Sequence, residues 1–144
     1  MRRDVLISLR GLPEAGGAPD AVLTTAGQLY RKNGQYSITY RETDLTGMPG
    51  VTTTLKLEPD RVTLQRRGRQ NDCMVFRQGE KHYTLGDIDG EPFTVSIAAN
   101  RVRQNLTDSG GEVDIDYTLQ FNDSIARSSR LHVTVGTRAP SVDA

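Results

Sequence analysis

Along most of this chain apolar and polar residues alternate one by one. Val51-Thr52-Thr53-Thr54-Leu55-Lys56-Leu57-Glu58 places Val51, Thr53, Leu55 and Leu57 on one face and Lys56 and Glu58 on the other. From Glu112 to Phe121 the apolar Val113, Ile115, Tyr117, Leu119 and Phe121 alternate with Asp114, Asp116, Thr118 and Gln120. A period of two with one apolar face belongs to antiparallel strands that bury one side and wet the other. Turn residues punctuate the pattern at Asn33-Gly34, Pro59-Asp60, Gly79-Glu80, Gly110-Gly111 and Asn122-Asp123, the dipeptides that hairpins favour. Strands are therefore predicted at about 4–10, 21–32, 35–42, 51–58, 61–67, 73–78, 81–86, 91–107, 111–121 and 124–136. The segment 91–107 is too long to lie flat and is expected to bend near Ala98-Ala99-Asn100. The fold class that follows is all-β: a single antiparallel, mostly up-and-down barrel of about 8–10 strands. One domain covers 1–137, with a mobile Gly/Pro-rich loop from Pro13 to Pro19 and a frayed tail over 138–144.

Turn length sets register. Asn33-Gly34 pairs Lys32 with Gln35, hence Leu29 with Ile38 and Gly27 with Tyr40. Closing Glu42 on Val51 sets Tyr40 opposite Thr53, and Pro59-Asp60 sets Thr53 opposite Arg66 and Leu55 opposite Leu64. One strand further, Arg66 is expected to face Met74 and Leu64 to face Phe76. A Gly79-Glu80 turn would then align Phe76 with Tyr83 and Met74 with Leu85. These pairings describe an apolar cup of Leu29, Ile38, Leu55, Leu64, Phe76 and Tyr83. A mixed row of Gly27, Tyr40, Thr53, Arg66, Met74 and Leu85 caps it, with Glu42 one step beyond. Gly27 would make room for the Tyr40 ring. At the last hairpin a two-residue Asn122-Asp123 turn puts Leu131 on the wrong face, and a bulge at Arg127-Ser128-Ser129 would restore it.

Composition narrows the picture. Eighteen basic residues balance eighteen acidic ones, so the basic footprint of a nucleic-acid binder is missing. No apolar run is long enough for a membrane-spanning helix, and the N-terminal apolar stretch is too short for a signal peptide. The one cysteine, Cys73, has no internal partner, which suits a reducing cytoplasm.

Asn33-Gly34-Gln35-Tyr36-Ser37-Ile38-Thr39-Tyr40-Arg41-Glu42, then Thr52-Thr53-Thr54, Arg66-Arg67-Gly68, Met74-x-Phe76-x-x-Gly79 and Tyr83-Thr84 follow one another along the chain. With Gly90-Glu91 and Ile115-x-Tyr117-x-Leu119, this order resembles the YwiB-like bacterial family. The resemblance covers nearly the whole chain and implies a lipocalin-like (calycin) β-barrel. The family is a domain of unknown function, so the likeness implies no activity.

The chemical signals are sparse. His82 and His132 both fall on the outward parity of their predicted strands, and two outward imidazoles do not make a metal site. No nucleophile elbow or phosphate loop is present, and Cys73 lacks a neighbouring base, as expected of an inert, half-buried thiol. Asp114 and Asp116 sit on a solvated face. The basic run Arg66-Arg67-Gly68-Arg69 is split between the two faces and lacks the aromatic platform that nucleic acid would need. No enzyme, cofactor or metal is expected.

Two readings of function remain. In the first, the barrel holds a small apolar or amphipathic anionic molecule in its lumen, with Leu29, Ile38, Leu55, Leu64 and Phe76 lining it. Tyr40, Glu42, Thr53, Arg66, Met74 and Tyr83 would bind and orient the ligand. In the second, the barrel is filled by Tyr36, Phe76, Tyr83, Phe93 and Tyr117 and acts as a structural or self-associating module, a homodimer for example, through outward residues such as Tyr30. Under the structural reading of the polar row, Arg66 reaches the rim along its aliphatic stem and Tyr40 bonds a loop carbonyl.

Overall fold

A chain of successive hairpins removes its sheet edges altogether by closing on itself. The computed structural model describes residues 1–11, 21–42, 49–122 and 124–137, and in it ten strands form one closed antiparallel barrel. They are β1 (Arg2–Gly11), β2 (Ala21–Lys32), β3 (Gln35–Arg41), β4 (Val51–Glu58) and β5 (Arg61–Gly68), followed by β6 (Gln70–Phe76), β7 (Lys81–Ile88), β8 (Glu91–Gln104), β9 (Gly110–Phe121) and β10 (Arg127–Thr137). Each strand pairs with its neighbours in sequence, and β1 closes the ring on β10. The expected loop from Pro13 to Pro19 and the tail over 138–144 lie outside the described residues. Among the described residues no helix is long and apolar enough to cross a membrane.

Local turn chemistry explains the β2–β5 quarter. Asn33 and Gly34 both adopt positive φ, 54° and 78°, as a type I′ hairpin requires, and Lys32 faces Gln35. The Glu42 amide donates to the Val51 carbonyl at 2.8 Å, and Pro59-Asp60 sets Glu58 opposite Arg61. The row Leu29–Ile38–Leu55–Leu64 then forms as the alternation predicts.

From Gly68 onward three connections depart from expectation. The Asn71 side chain clamps Gly68, its Oδ1 accepting from the Gly68 amide at 3.1 Å and its Nδ2 donating to the Gly68 carbonyl at 2.8 Å. This tight turn starts β6 at Gln70 and shifts its register by two residues, so that Arg66 faces Asp72, Leu64 faces Met74 and Val62 faces Phe76. The next turn runs from Arg77 to Glu80, whose amide donates to the Arg77 carbonyl at 2.9 Å. Gly79, at φ 83°, takes the third position, where a type II turn demands positive φ; it was expected second. That move alone would shift the register by two, but the strands pair as Gln70↔Ile88 and Asn71↔Asp87, one residue from expectation, and a one-residue slip turns every side chain to the other face. Tyr83 and Leu85 therefore point outward. At the last hairpin a longer connection corrects the parity, and β10 pairs with β9 without a bulge from Arg127 to Gly136. The bend expected in β8 is present: the register shifts between Ala99 and Arg101, leaving Asn100 as the extra residue.

The core is the barrel's interior. Val5, Ile7, Leu29, Ile38, Val62, Ile115 and Val133 keep no surface that a water molecule could touch. Phe76 meets Tyr117 edge-on at 5.2 Å between ring centroids, a favourable aromatic geometry.

Candidate functional site

The polar row lies one step from the apolar rows, on four successive strands. Tyr40, Thr53, Arg66 and Asp72 are direct cross-strand neighbours on β3, β4, β5 and β6, with Glu42 following β3. Gly27 starts the row, and the space a β-carbon would fill there is taken mainly by Ile7 Cδ1, 2.3 Å from that position. The Thr39 carbonyl oxygen at 2.7 Å and Tyr40 Cβ at 3.2 Å come next, so the Tyr40 ring is not what the glycine makes room for.

Two hydrogen-bonded groups make up the site. Thr53 Oγ1 donates to Glu42 Oε2 at 2.5 Å, and the Tyr40 hydroxyl is close enough to feel the same carboxylate. Burial, then the Glu42 charge, pushes the Tyr40 hydroxyl well above the ordinary tyrosine value of 10.0, so it remains a proton donor. In the second group Asp72, whose side chain is fully buried, accepts from Gln70 Nε2 at 2.7 Å and from Arg66 Nη1 at 3.4 Å. Arg66 keeps 19% of its side chain exposed. Asp72 Oδ1 and Arg66 Nε are buried and unpaired. Outside them an open groove of about 340 Å³ is lined by Arg66, Asp72, Cys73, Leu85 and Asp87 among others.

The row thus differs from the predicted one in three ways. Asp72 stands where Met74 was expected, and Met74 is a buried core residue opposite Leu64. Arg66 is paired to Asp72, a carboxylate that the expected row did not contain. Tyr83 leaves the interior altogether, 76% exposed, and Leu85 is 73% exposed. Leu29, Ile38, Leu55, Leu64 and Phe76 are buried as the alternation predicts. Sequence reasoning missed Asp72 and Gln70. The available signal was their shared parity with Met74 and Phe76, legible only if the strand begins at Gln70.

The remaining candidates sit apart from this site. His82 shares its face with Thr84 and Gly86, opposite to its predicted parity, and its Nε2 lies 3.3 Å from Glu80 Oε1. His132 is near Glu112 and Asp114, at 3.4 and 3.5 Å. Cys73 is exposed where a half-buried thiol was expected. Asp114 is paired to Arg130 at 3.1 Å, and that guanidinium holds its carboxyl below the ordinary value of 3.8. Among the described residues no group of three or more His, Cys, Asp or Glu side chains is arranged to hold a metal ion.

The order of strands and the whole-chain likeness can now be set against known proteins. A family model described as "Domain of unknown function (DUF1934)" matches residues 8–133. The chain belongs to that family. A solved structure, the crystal structure of the ywiB protein from Bacillus subtilis, is similar with a TM-score of 0.83 at 15% identity. The match covers 96% of this chain and 94% of the other, and at that identity it shows a shared fold. No curated protein matches the chain. Family membership accounts for the barrel and leaves the chemistry to the residues themselves.

Proposed function

We propose that this member of the family is a non-enzymatic, cytoplasmic interaction barrel that works through its outer surface. The observation that carries the reading is the filled interior, in which the central Leu29, Ile38 and Ile115 have no accessible surface. A carrier of the lipocalin-like kind needs an enclosed cavity of roughly 300–1,000 Å³; the larger hollows among the described residues, of about 700 and 620 Å³, are open ones, lined by residues such as Pro59, Gln104 and His132 or Gln28, Tyr40 and Thr52 and not by these core side chains. The Tyr40–Glu42–Thr53 and Arg66–Asp72–Gln70 groups then pair polar side chains with one another at that end of the barrel, leaving Arg66 Nε and Asp72 Oδ1 over. Native mass spectrometry and thermal shift against fatty acids and other anionic amphiphiles test this. The expected result is the bare chain mass and an unmoved melting temperature. A co-purified ligand, or a melting shift that Arg66→Ala abolishes, overturns it.

A second reading is favoured by one observation, the unpaired Arg66 Nε and Asp72 Oδ1 beside an open groove. There a small amphipathic anion would take the free guanidinium face, with its tail outside the core. Loss of that charged hydrogen bond in Arg66→Ala would weaken such a ligand by about 1.5–3 kcal/mol.

A further inference from the structure

We propose that the outward face of β7 is a two-fold self-association surface whose partner is a second copy of this chain. The inference rests on the reading of the barrel as an interaction module and names the partner and the surface. The outward positions of β7 are Lys81, Tyr83, Leu85 and Asp87. Tyr83 and Leu85 are 76% and 73% exposed, far more than a large apolar side chain on a barrel wall requires. They stand proud because β7 pairs along its whole length with β8 but meets β6 at only two positions, Gln70↔Ile88 and Asn71↔Asp87. Gly86 has no side chain to hold the strand off, and Phe93 and Asp72 occupy that space. The strand thus forms a corner of the barrel with its outward side chains on the crest.

The pattern on that crest is self-complementary. A second β7 laid antiparallel across the first, with the two-fold axis at Thr84, sets Tyr83 on the partner's Leu85 and Leu85 on the partner's Tyr83. The same operation sets Lys81 on the partner's Asp87 and Asp87 on the partner's Lys81. A parallel arrangement would stack Lys81 on Lys81 and Asp87 on Asp87. A two-residue slip would put one charge of each strand over an apolar residue, Asp87 over Tyr83 or Lys81 over Leu85, and break the charge pairing. Charge therefore selects one geometry, and a closed two-fold dimer is isologous by construction. The outward neighbours Cys73 and Val75 on β6 and Thr94 on β8 are uncharged and do not oppose it. Lys81 Nζ already lies 5.3 Å from the Tyr83 ring centroid, and Asp87 accepts from Asn71 at 3.1 Å, which hold the two charges at the ends of the apolar pair. So small a crest falls below the roughly 800 Å² per partner of a standard interface, which implies a weak, concentration-dependent dimer.

Sedimentation of the full chain over a dilution series tests this. The expected result is a mass that rises from monomer to dimer with concentration. Leu85→Asp, Lys81→Asp and Asp87→Lys should each weaken association about tenfold or more. The double variant Lys81→Asp/Asp87→Lys should restore it, because it reverses the pairing without removing it, and thermal melts verify that each variant is folded. A wild-type chain that stays monomeric at every concentration overturns the inference, as does a dimer indifferent to the three variants, or single-swap losses that the double swap does not rescue. None of these touches the interaction reading, which falls instead on a co-purified ligand.

Discussion

The β2–β5 quarter and the β6–β7 corner are neighbouring parts of one sheet held together by different means. In β2–β5 each pair of strands is in continuous register, and the inward side chains are apolar or hydrogen-bonded to one another. At the corner two ladder pairs join the strands, and the inward side chains of β7 are His82, Thr84 and Gly86. Packing therefore carries β2–β5 and the half of β6 that belongs with it. The corner is carried by β8 and by the polar group around Asp72. The apolar side chains that β7 turns outward, Tyr83 and Leu85, lie outside the packed core.

The contrast breaks most visibly on Phe76 and Leu85. Phe76→Ala removes a fully buried ring that meets Tyr117 and should cost about 3–5 kcal/mol in denaturant unfolding, whereas Leu85→Ser should change stability by no more than about 0.5 kcal/mol. Equal losses at both positions would mean that the corner is packed like the rest. Asp72 comes next. Asp72→Ala strands Arg66 and Gln70 and should cost about 1–3 kcal/mol, while the double Asp72→Leu/Arg66→Met, which removes both charges, should recover part of that loss. A double variant worse than the single would show that the pair is a net source of stability.

The smallest expected effect lies at alkaline pH. Tyr40 ionises far above 10.0 in the folded barrel and near 10.0 once unfolded. A raised folded value means that this contribution is whole below pH 10 and is lost as pH climbs beyond it. Urea midpoints should therefore fall above pH 10, and Tyr40→Phe should flatten that fall. An identical alkaline limb in both proteins would place the ionising group elsewhere.

How much was legible in the residues follows the same division. Where a turn's chemistry admits one length, as at Asn33-Gly34 and Pro59-Asp60, register followed from counting, and Tyr40, Thr53 and Arg66 were found in their row. At Gly68 the turn is tightened by the Asn71 side chain, a contact that counting does not reveal. At Gln78-Gly79 the turn lies one residue earlier than expected, which by itself preserves parity; the face of β7 is set by the pairs Gln70↔Ile88 and Asn71↔Asp87, a register that counting through the turn does not give. Asp72 escaped notice for the first reason and Tyr83 was misplaced for the second.

Alternation and turn residues alone were enough to specify an antiparallel barrel, most of its strands and its apolar interior, because side-chain period and turn geometry are local properties of the backbone. Which carboxylate meets Arg66, and whether Tyr83 and Leu85 face the core or the solvent, depended on one or two residues of register. In the closed sheet Phe93 and Asp72 occupy the space over Gly86, and contacts between residues so far apart in sequence are not encoded by any local stretch.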